Sequence, residues 1–337
     1  MPNKTITKIG AFVIFAGLAF FGMTGCDFLS RNGAAQSSSK QGKAPYDPPK
    51  IIGKIESEEI DESSGLAASK CQPDVFWTHN DSGGGAFIFA VNLKGENLGT
   101  WKVAGATNRD WEDIAETKDA AGKCFVYIGE IGNNSLGREE GIVYRIAEPI
   151  VTDQTRSTTM SEPQTTANAD TLRFSYSDTT HNAETLLVHP VSGDIYIVTK
   201  SKSGPAGVYK LKPDFGGDKQ TAQKIADISV PAVPDGVITG GDISPDGKRV
   251  VLCDYFSGYE LSLSADAKDF DNIWKEKPLR FEAGDRDTGE SITYTADGQS
   301  VIAGSEKKYS PLFQIKRSRQ MITGSRLQLW KRPTFRS

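Results

Sequence analysis

Three glutamates, Glu112, Glu184 and Glu290, each open a short apolar segment, and Asp81, Glu130, Asp254 and Glu306 each close a segment of the same kind. Carboxylates gathered in a concave site repel one another, and a hard cation relieves that repulsion. Ca2+ takes about six to eight oxygen ligands from such groups, so these seven are candidate calcium ligands. Asn80, Asp81, Asn133, Asn134, Lys200 and Tyr255 stand among them and carry the polar atoms that could hold a ligand. The competing expectation is structural: these side chains cap strand ends and pair with Lys200, Arg109 or backbone amides. With only 3 histidines, the composition argues against a His-rich metal site and leaves Asp, Glu and Asn as the available ligands. His79 beside Asp81 reads either as a base or as a hydrogen-bonded structural residue. No GxSxG elbow, HExxH pair, Walker loop or GxGxxG before a helix occurs.

The elements that must position these residues form a repeat. Segments beginning at Glu62, Trp111, Ala183, Gly240 and Gly289 share one plan: an acidic-to-apolar start, a turn, then an apolar strand ending in polar residues. Aligning Ser64, Glu112, Glu184, Gly241 and Glu290 gives steps of 48, 72, 57 and 49 residues. Ser-Gly-Asp, Pro-Asp-Gly and Ala-Asp-Gly supply the turns, and helical patterning is nearly absent. The reading is all-β, a single β-propeller of four-stranded antiparallel blades, with five blades recovered and a sixth left open. The long step carries a polar stretch, Thr152 to Asp170, expected as a surface insertion. PPKIIGKIES, before the first segment, is expected to supply the outer strand of the last blade. First-strand starts and second-strand ends then share one face, which gathers the acidic residues at one mouth.

The motifs ESSGLAAS with FWTHNDSG, DWEDIA with YIGEIGNN, and NAETLLV with IYIVTKS resemble exported bacterial propellers of the SdiA-regulated and phytase/esterase-like groups, over about residues 55–310. The acidic starts are also similar to the gluconolactonase/regucalcin group, whose Glu, Asn and Asp bind a divalent cation; that group's Glu-Gly-Pro start is absent. The phytase-like resemblance implies a phosphate-rich substrate and hence many cations at the mouth. Lys200, Lys307, Arg109 and Arg286 are the available ones, a shortage that argues against inositol phosphate.

The remainder of the chain concerns address. Lys4 and Lys8 precede an apolar run, Ile9 to Phe21, and Met23-Thr24-Gly25-Cys26 resembles a bacterial lipobox. Residues 1–25 are therefore expected to be a lipoprotein signal peptide and Cys26 the acylated residue. Residues 26–50 read as a lipid-anchored flexible tether, and 51–337 as the propeller domain with a basic C-terminal segment. The expected location is outside the cytoplasm, held to a bacterial membrane and facing periplasm or cell exterior. Once Cys26 is acylated, Cys71 and Cys124 fall between first and second strands of consecutive blades and are a candidate disulfide; Cys253 reads as a small buried residue. Residues 26–306 carry 28 basic against 43 acidic residues, a net of −15, while nine Lys or Arg and no acid follow. That basic end reads as a contact for anionic lipid or as a charged edge strand. The whole-chain net charge of −4 gives no reason to expect nucleic acid as a partner. The expected function is to bind or scaffold an unidentified ligand or protein at the acidic mouth; the alternative is a divalent-metal-dependent hydrolase of the phosphoesterase or lactonase kind.

Overall fold

A computed structural model describes residues 45–232 and 234–318. Cys26, the signal peptide, most of the tether and the chain beyond Ser318 lie outside the described residues. No described helix is long and apolar enough to cross a membrane.

The described chain is built from short strands. In chain order they are β1 (Lys50–Lys54), β2 (Ser63–Ala68), β3 (Phe76–Asn80), β4 (Phe87–Val91), β5 (Asn97–Lys102), β6 (Trp111–Lys118) and β7 (Cys124–Glu130). Next come β8 (Gly141–Ala147), β9 (Gln164–Thr165), β10 (Asp170–Tyr176), β11 (Ala183–Val188), β12 (Ile195–Thr199), β13 (Ala206–Leu211) and β14 (Gln220–Ile228). The last are β15 (Gly240–Ile243), β16 (Arg249–Cys253), β17 (Ser257–Ser262), β18 (Leu279–Glu282), β19 (Ser291–Tyr294), β20 (Ser300–Gly304) and β21 (Pro311–Lys316). Strands such as β12 (IYIVT) and β20 (SVIAG) are buried along their whole length, because each sheet packs against another on both faces. Recurrent turns hold the register. In the β15–β16 turn the Gly247 N–H donates to Ser244 O at 2.8 Å, and Gly247 takes φ +66°, a conformation that favours glycine.

The sheets run β2-β3-β4-β5-β9, β15-β16-β17-β18, β1-β21-β20-β19, and an eight-stranded sheet β6-β7-β8-β10-β14-β13-β12-β11. The inner strands contact one another in the order β2, β6, β11, β15, β19, and β19 returns to β2. This is a β-propeller-like, all-β fold. The expected outer strand before the first segment is present: β1 pairs antiparallel with β21. That junction is latched by Glu260, fully buried, whose carboxylate accepts from Tyr46 Oη at 2.5 Å, Tyr294 Oη at 3.1 Å and Arg317 Nη1 at 2.7 Å. Arg317 thus neutralises a buried acid, and β21 lies inside its sheet, so neither behaves as part of an exposed basic edge.

Two expectations are corrected. The four-stranded sheets are not all separate: β10 pairs in parallel with β14 and fuses two antiparallel meanders. Nor is the polar stretch from Thr152 to Asp170 a simple insertion. It folds back over β5, where Thr155 Oγ1 donates to Leu98 O at 2.7 Å and Thr100 N donates to Thr158 Oγ1 at 2.8 Å. Its hydroxyls satisfy the backbone of an otherwise open edge, and β9 then extends that sheet. On the far side from the acidic starts, Cys71 and Cys124 form a disulfide that ties the β2–β3 turn to the start of β7. Cys253 is free and buried.

Candidate functional site

The inner strands do not hydrogen-bond to one another through their backbones, so side chains join them. Ser64 Oγ of β2 donates to Glu112 O of β6 at 2.6 Å, and Leu186 N of β11 donates to Asp113 Oδ2 at 2.9 Å. Tyr294 N and Thr293 Oγ1 of β19 donate to Asp242 Oδ2 at 2.9 and 2.8 Å. Burial pushes the Asp113 and Asp242 carboxyls up, while these backbone N–H donors hold them partly back. At Gly65, φ +70°, an added Cβ would lie 2.7 Å from Asp113 Oδ1, which shows how closely β2 and β6 approach.

One residue before Asp113, Glu112 is the extra residue of a β-bulge between Trp111 and Asp113, and its side chain finds no such donor. It is 3% exposed and its carboxylate makes no hydrogen bond among the described residues. Around it stand Asp81 and Asp110: one carboxylate oxygen from each of Asp81, Asp110 and Glu112 lies within 4.8 Å of the others. The pedestal is rigid. Asn108 Nδ2 donates to Asn80 O at 3.1 Å and its Oδ1 accepts from Trp111 N at 3.2 Å, which holds the end of β3 against the start of β6. The buried Trp111 ring meets His79 edge-on at 5.7 Å and donates from Nε1 to Thr107 O at 2.9 Å.

Electrostatics are unbalanced here. Burial, then the charges of Glu184, Asp81, Asp110 and Glu290, push Glu112 well up. Asp81 rises to about 7 through burial and then Asp110, Glu306 and Glu184, and its Oδ1 is buried without a partner. Glu290 rises to about 9 through burial and then Glu184 and Glu306. Lys200 Nζ donates to Glu184 Oε1 at 2.5 Å, yet burial still leaves Glu184 raised and its Oε2 without a partner. Burial disfavours the Lys200 charge, but Glu184 outweighs it and the ammonium is held charged, 4.9 Å from the Tyr255 ring centroid. Arg138 Nη2 reaches Asp110 at 3.2 Å. Seven carboxylates (Asp81, Asp110, Glu112, Glu130, Glu184, Glu290, Glu306) thus share one neighbourhood with the two cations Lys200 and Arg138.

Several expected site residues are spent elsewhere. Glu130, read as a metal ligand, pairs with Arg138 and accepts from Arg109 N at 2.8 Å. Asp254, also read as a ligand, closes its own turn by accepting from Phe256 N at 2.8 Å, Ser257 N at 2.6 Å and Tyr259 Oη at 2.7 Å. Asn80 Oδ1 accepts from Asp61 N and Glu62 N, and Asn133 bonds both the N–H and the carbonyl of Arg138, so neither amide is available to a ligand. Asn134 is exposed at a cleft it shares with Lys200, and its Oδ1 accepts from Asn182 Nδ2 at 3.3 Å. His79 is fully buried and pushed down to about 4, a neutral structural residue and not a base. Lys307 pairs with Asp287, and Arg286 is buried against Asp254 O and Gly304 O, which removes both from the mouth's cations. Asp110 was missed. Its signal is position: it stands two residues before Glu112, in the bend that leads into β6.

No protein-family model matches the sequence, and no curated protein matches it. Among solved structures, the soluble aldose sugar dehydrogenase of Escherichia coli, in its apo form, is similar at 9% identity and a TM-score of 0.43, covering 80% of this chain and 99% of that one. A likeness of that degree decides nothing about this chain's chemistry.

The raised carboxyls make stability depend on pH with a definite sign. A carboxyl whose folded pKa lies above its unfolded value binds extra protons in the folded state, so its contribution falls as pH rises between the two values. For Asp81 that window runs from 3.8 to about 7, and for Glu290 from 4.5 to about 9. In cation-free buffer the melting temperature is expected to fall by several degrees between pH 5 and pH 9. A flat or rising profile would show that these groups find partners in solution.

Proposed function

We propose that the protein is a ligand-binding module whose acidic mouth takes a divalent cation, Ca2+ by ligand type, between Asp81, Asp110 and Glu112. The observation that carries this reading is the contrast between acids on neighbouring positions. Asp113 and Asp242 have backbone donors, whereas Glu112, one residue from Asp113, is buried with none. Hard cations prefer such oxygen sets, and Glu184, Glu290 and Glu306 supply further negative charge beside them. Five inner strands in a closed order support reading the fold as a five-bladed propeller, with this site at one end of its channel. We further propose the anchoring that the Met23-Thr24-Gly25-Cys26 motif suggests: export, acylation at Cys26, and a domain tethered close to a membrane.

A cation-dependent hydrolase is the second reading, and one observation favours it. In the cation-free site Asp81 is raised to about 7 by burial and neighbouring carboxylates, so a carboxyl that exchanges protons near neutral pH stands at the cluster. Calcium-dependent turnover across a panel of esters, lactones and phosphoesters, lost in Asp81→Asn, would establish it. No turnover across the panel leaves binding as the function.

Binding to the folded state alone raises stability by about 2.7 kcal/mol at a hundredfold excess over Kd, so millimolar Ca2+ is expected to raise the melting temperature by several degrees over chelator. Glu112→Gln should abolish most of that rise. Identical melting in calcium and chelator at constant ionic strength rejects the cation site. For the anchor, Cys26→Ala should move the protein from the membrane to the soluble fraction or leave its signal uncleaved, and unchanged processing with full membrane retention rejects acylation there.

A further inference from the structure

We propose that the cleft beside the carboxylate cluster, lined by Arg109, Arg138 and Arg173, binds the oxyanion group of a small ligand. The inference rests on reading this face as the ligand-binding one, but it does not require the cation. The cleft encloses about 340 Å3, within the range of roughly 300–1,000 Å3 that small-molecule sites occupy. Three arginines line it, although none of them is adjacent to another in sequence.

Its two acids are already engaged. Glu130 is held by Arg138 and by the Arg109 N–H. Glu140 lies 3.9 Å from Arg173 Nη1 and 3.0 Å from Lys219 Nζ. Arg138 is committed in turn, because it also reaches Asp110. The surplus falls on Arg109. Its backbone is fixed by the bond to Glu130, while no ion pair or hydrogen bond among the described residues engages its guanidinium. A guanidinium presents five N–H donors in a planar fork and binds carboxylate, phosphate or sulfate through two parallel bonds. Thr107 Oγ1 and Tyr144 Oη, 3.3 Å apart, add neutral hydroxyls on the same wall.

The cleft and the carboxylate cluster meet at Arg138, which bonds Glu130 on one side and Asp110 on the other. A ligand with an acidic group and several oxygen atoms can therefore place its anion at Arg109 and turn its remaining oxygens toward the cluster. Phosphate monoesters, sulfate monoesters and acidic sugars share that chemistry. Arg138 and Arg173, which the repeat pattern does not cover because they lie in a loop and in β10, pair with the acids around the cleft and leave Arg109 for the anion.

The test uses calcium-free buffer at fixed ionic strength. Inorganic phosphate, sulfate, glycerol phosphate and glucuronate are titrated by calorimetry against the folded domain, with chloride as the reference. The proposal expects saturable binding of at least one of these oxyanions and at least a tenfold weaker Kd in Arg109→Ala, with partial recovery in Arg109→Lys. Preference for glycerol phosphate or for glucuronate then says whether the natural group is tetrahedral or planar. No binding above chloride, or equal binding by wild type and Arg109→Ala, overturns the proposal. The cation reading fails separately, because Arg109→Ala is expected to keep the calcium-induced rise in melting temperature in phosphate-free buffer.

Discussion

Strands that line a propeller-like channel are neighbours without being partners. Strands β2, β6, β11, β15 and β19 pair outward within their own sheets, so every bond between one inner strand and the next must come from a side chain. That constraint explains why polar residues populate the most buried strands of this chain. Ser64, Asp113, Asp242 and Thr293 reach across and satisfy backbone groups that no sheet satisfies. A buried carboxylate with several N–H donors is tolerable, and removing those donors would leave a costly charge.

The bulge at the start of β6 sets Asp113 against the neighbouring inner strand and leaves Glu112 without such a donor at the acidic end. Its neighbours at that end are acids, because the starts of inner strands and the ends of the next strands share one face. Lys200 answers Glu184 there, Arg138 is divided between Glu130 and Asp110, and the others share their repulsion. Two outcomes can relieve such a group: it takes up protons, or it takes up a cation. The upward displacement of Asp81 and Glu290 describes the first outcome, and the oxygen-only ligand set describes the second. The Arg109 cleft extends this logic, since a bound anion beside Arg138 and a bound cation beside Asp110 would each reduce the field the other meets.

Much of the fold was legible in the sequence. Apolar runs such as IYIVT and RVVLC, punctuated by Ser192-Gly193-Asp194 and Asp246-Gly247, specify two strands and a tight turn wherever they occur. The segment KIIGK announced its role because it had no partner of its own nearby. The fusion of two meanders through β10 and β14 was not legible, for the chain between Thr152 and Asp170 is polar and is ordered by hydroxyl bonds rather than by apolar periodicity. At the site, the alignment found Glu112, Glu184 and Glu290 but could not tell a ligand from a latch. Asp254 illustrates the difficulty: its turn, Asp254-Tyr255-Phe256-Ser257, is a local Asx-type motif that could have been recognised. The partner of Glu130 could not, because Arg138 sits in an irregular loop whose path only the structure supplies.

The central claim is that Asp81, pushed up to about 7 by burial and neighbouring carboxylates, and Glu112, pushed well up by the same causes, give up protons to a cation held between them and Asp110. Calorimetric titration of Ca2+ at pH 7 in two buffers of different ionisation enthalpy measures this directly, since cation binding to partly protonated ligands must release protons. The account predicts saturable binding with a heat that changes with the buffer, corresponding to net proton release. Absence of binding, or a binding heat that is the same in both buffers, would contradict it.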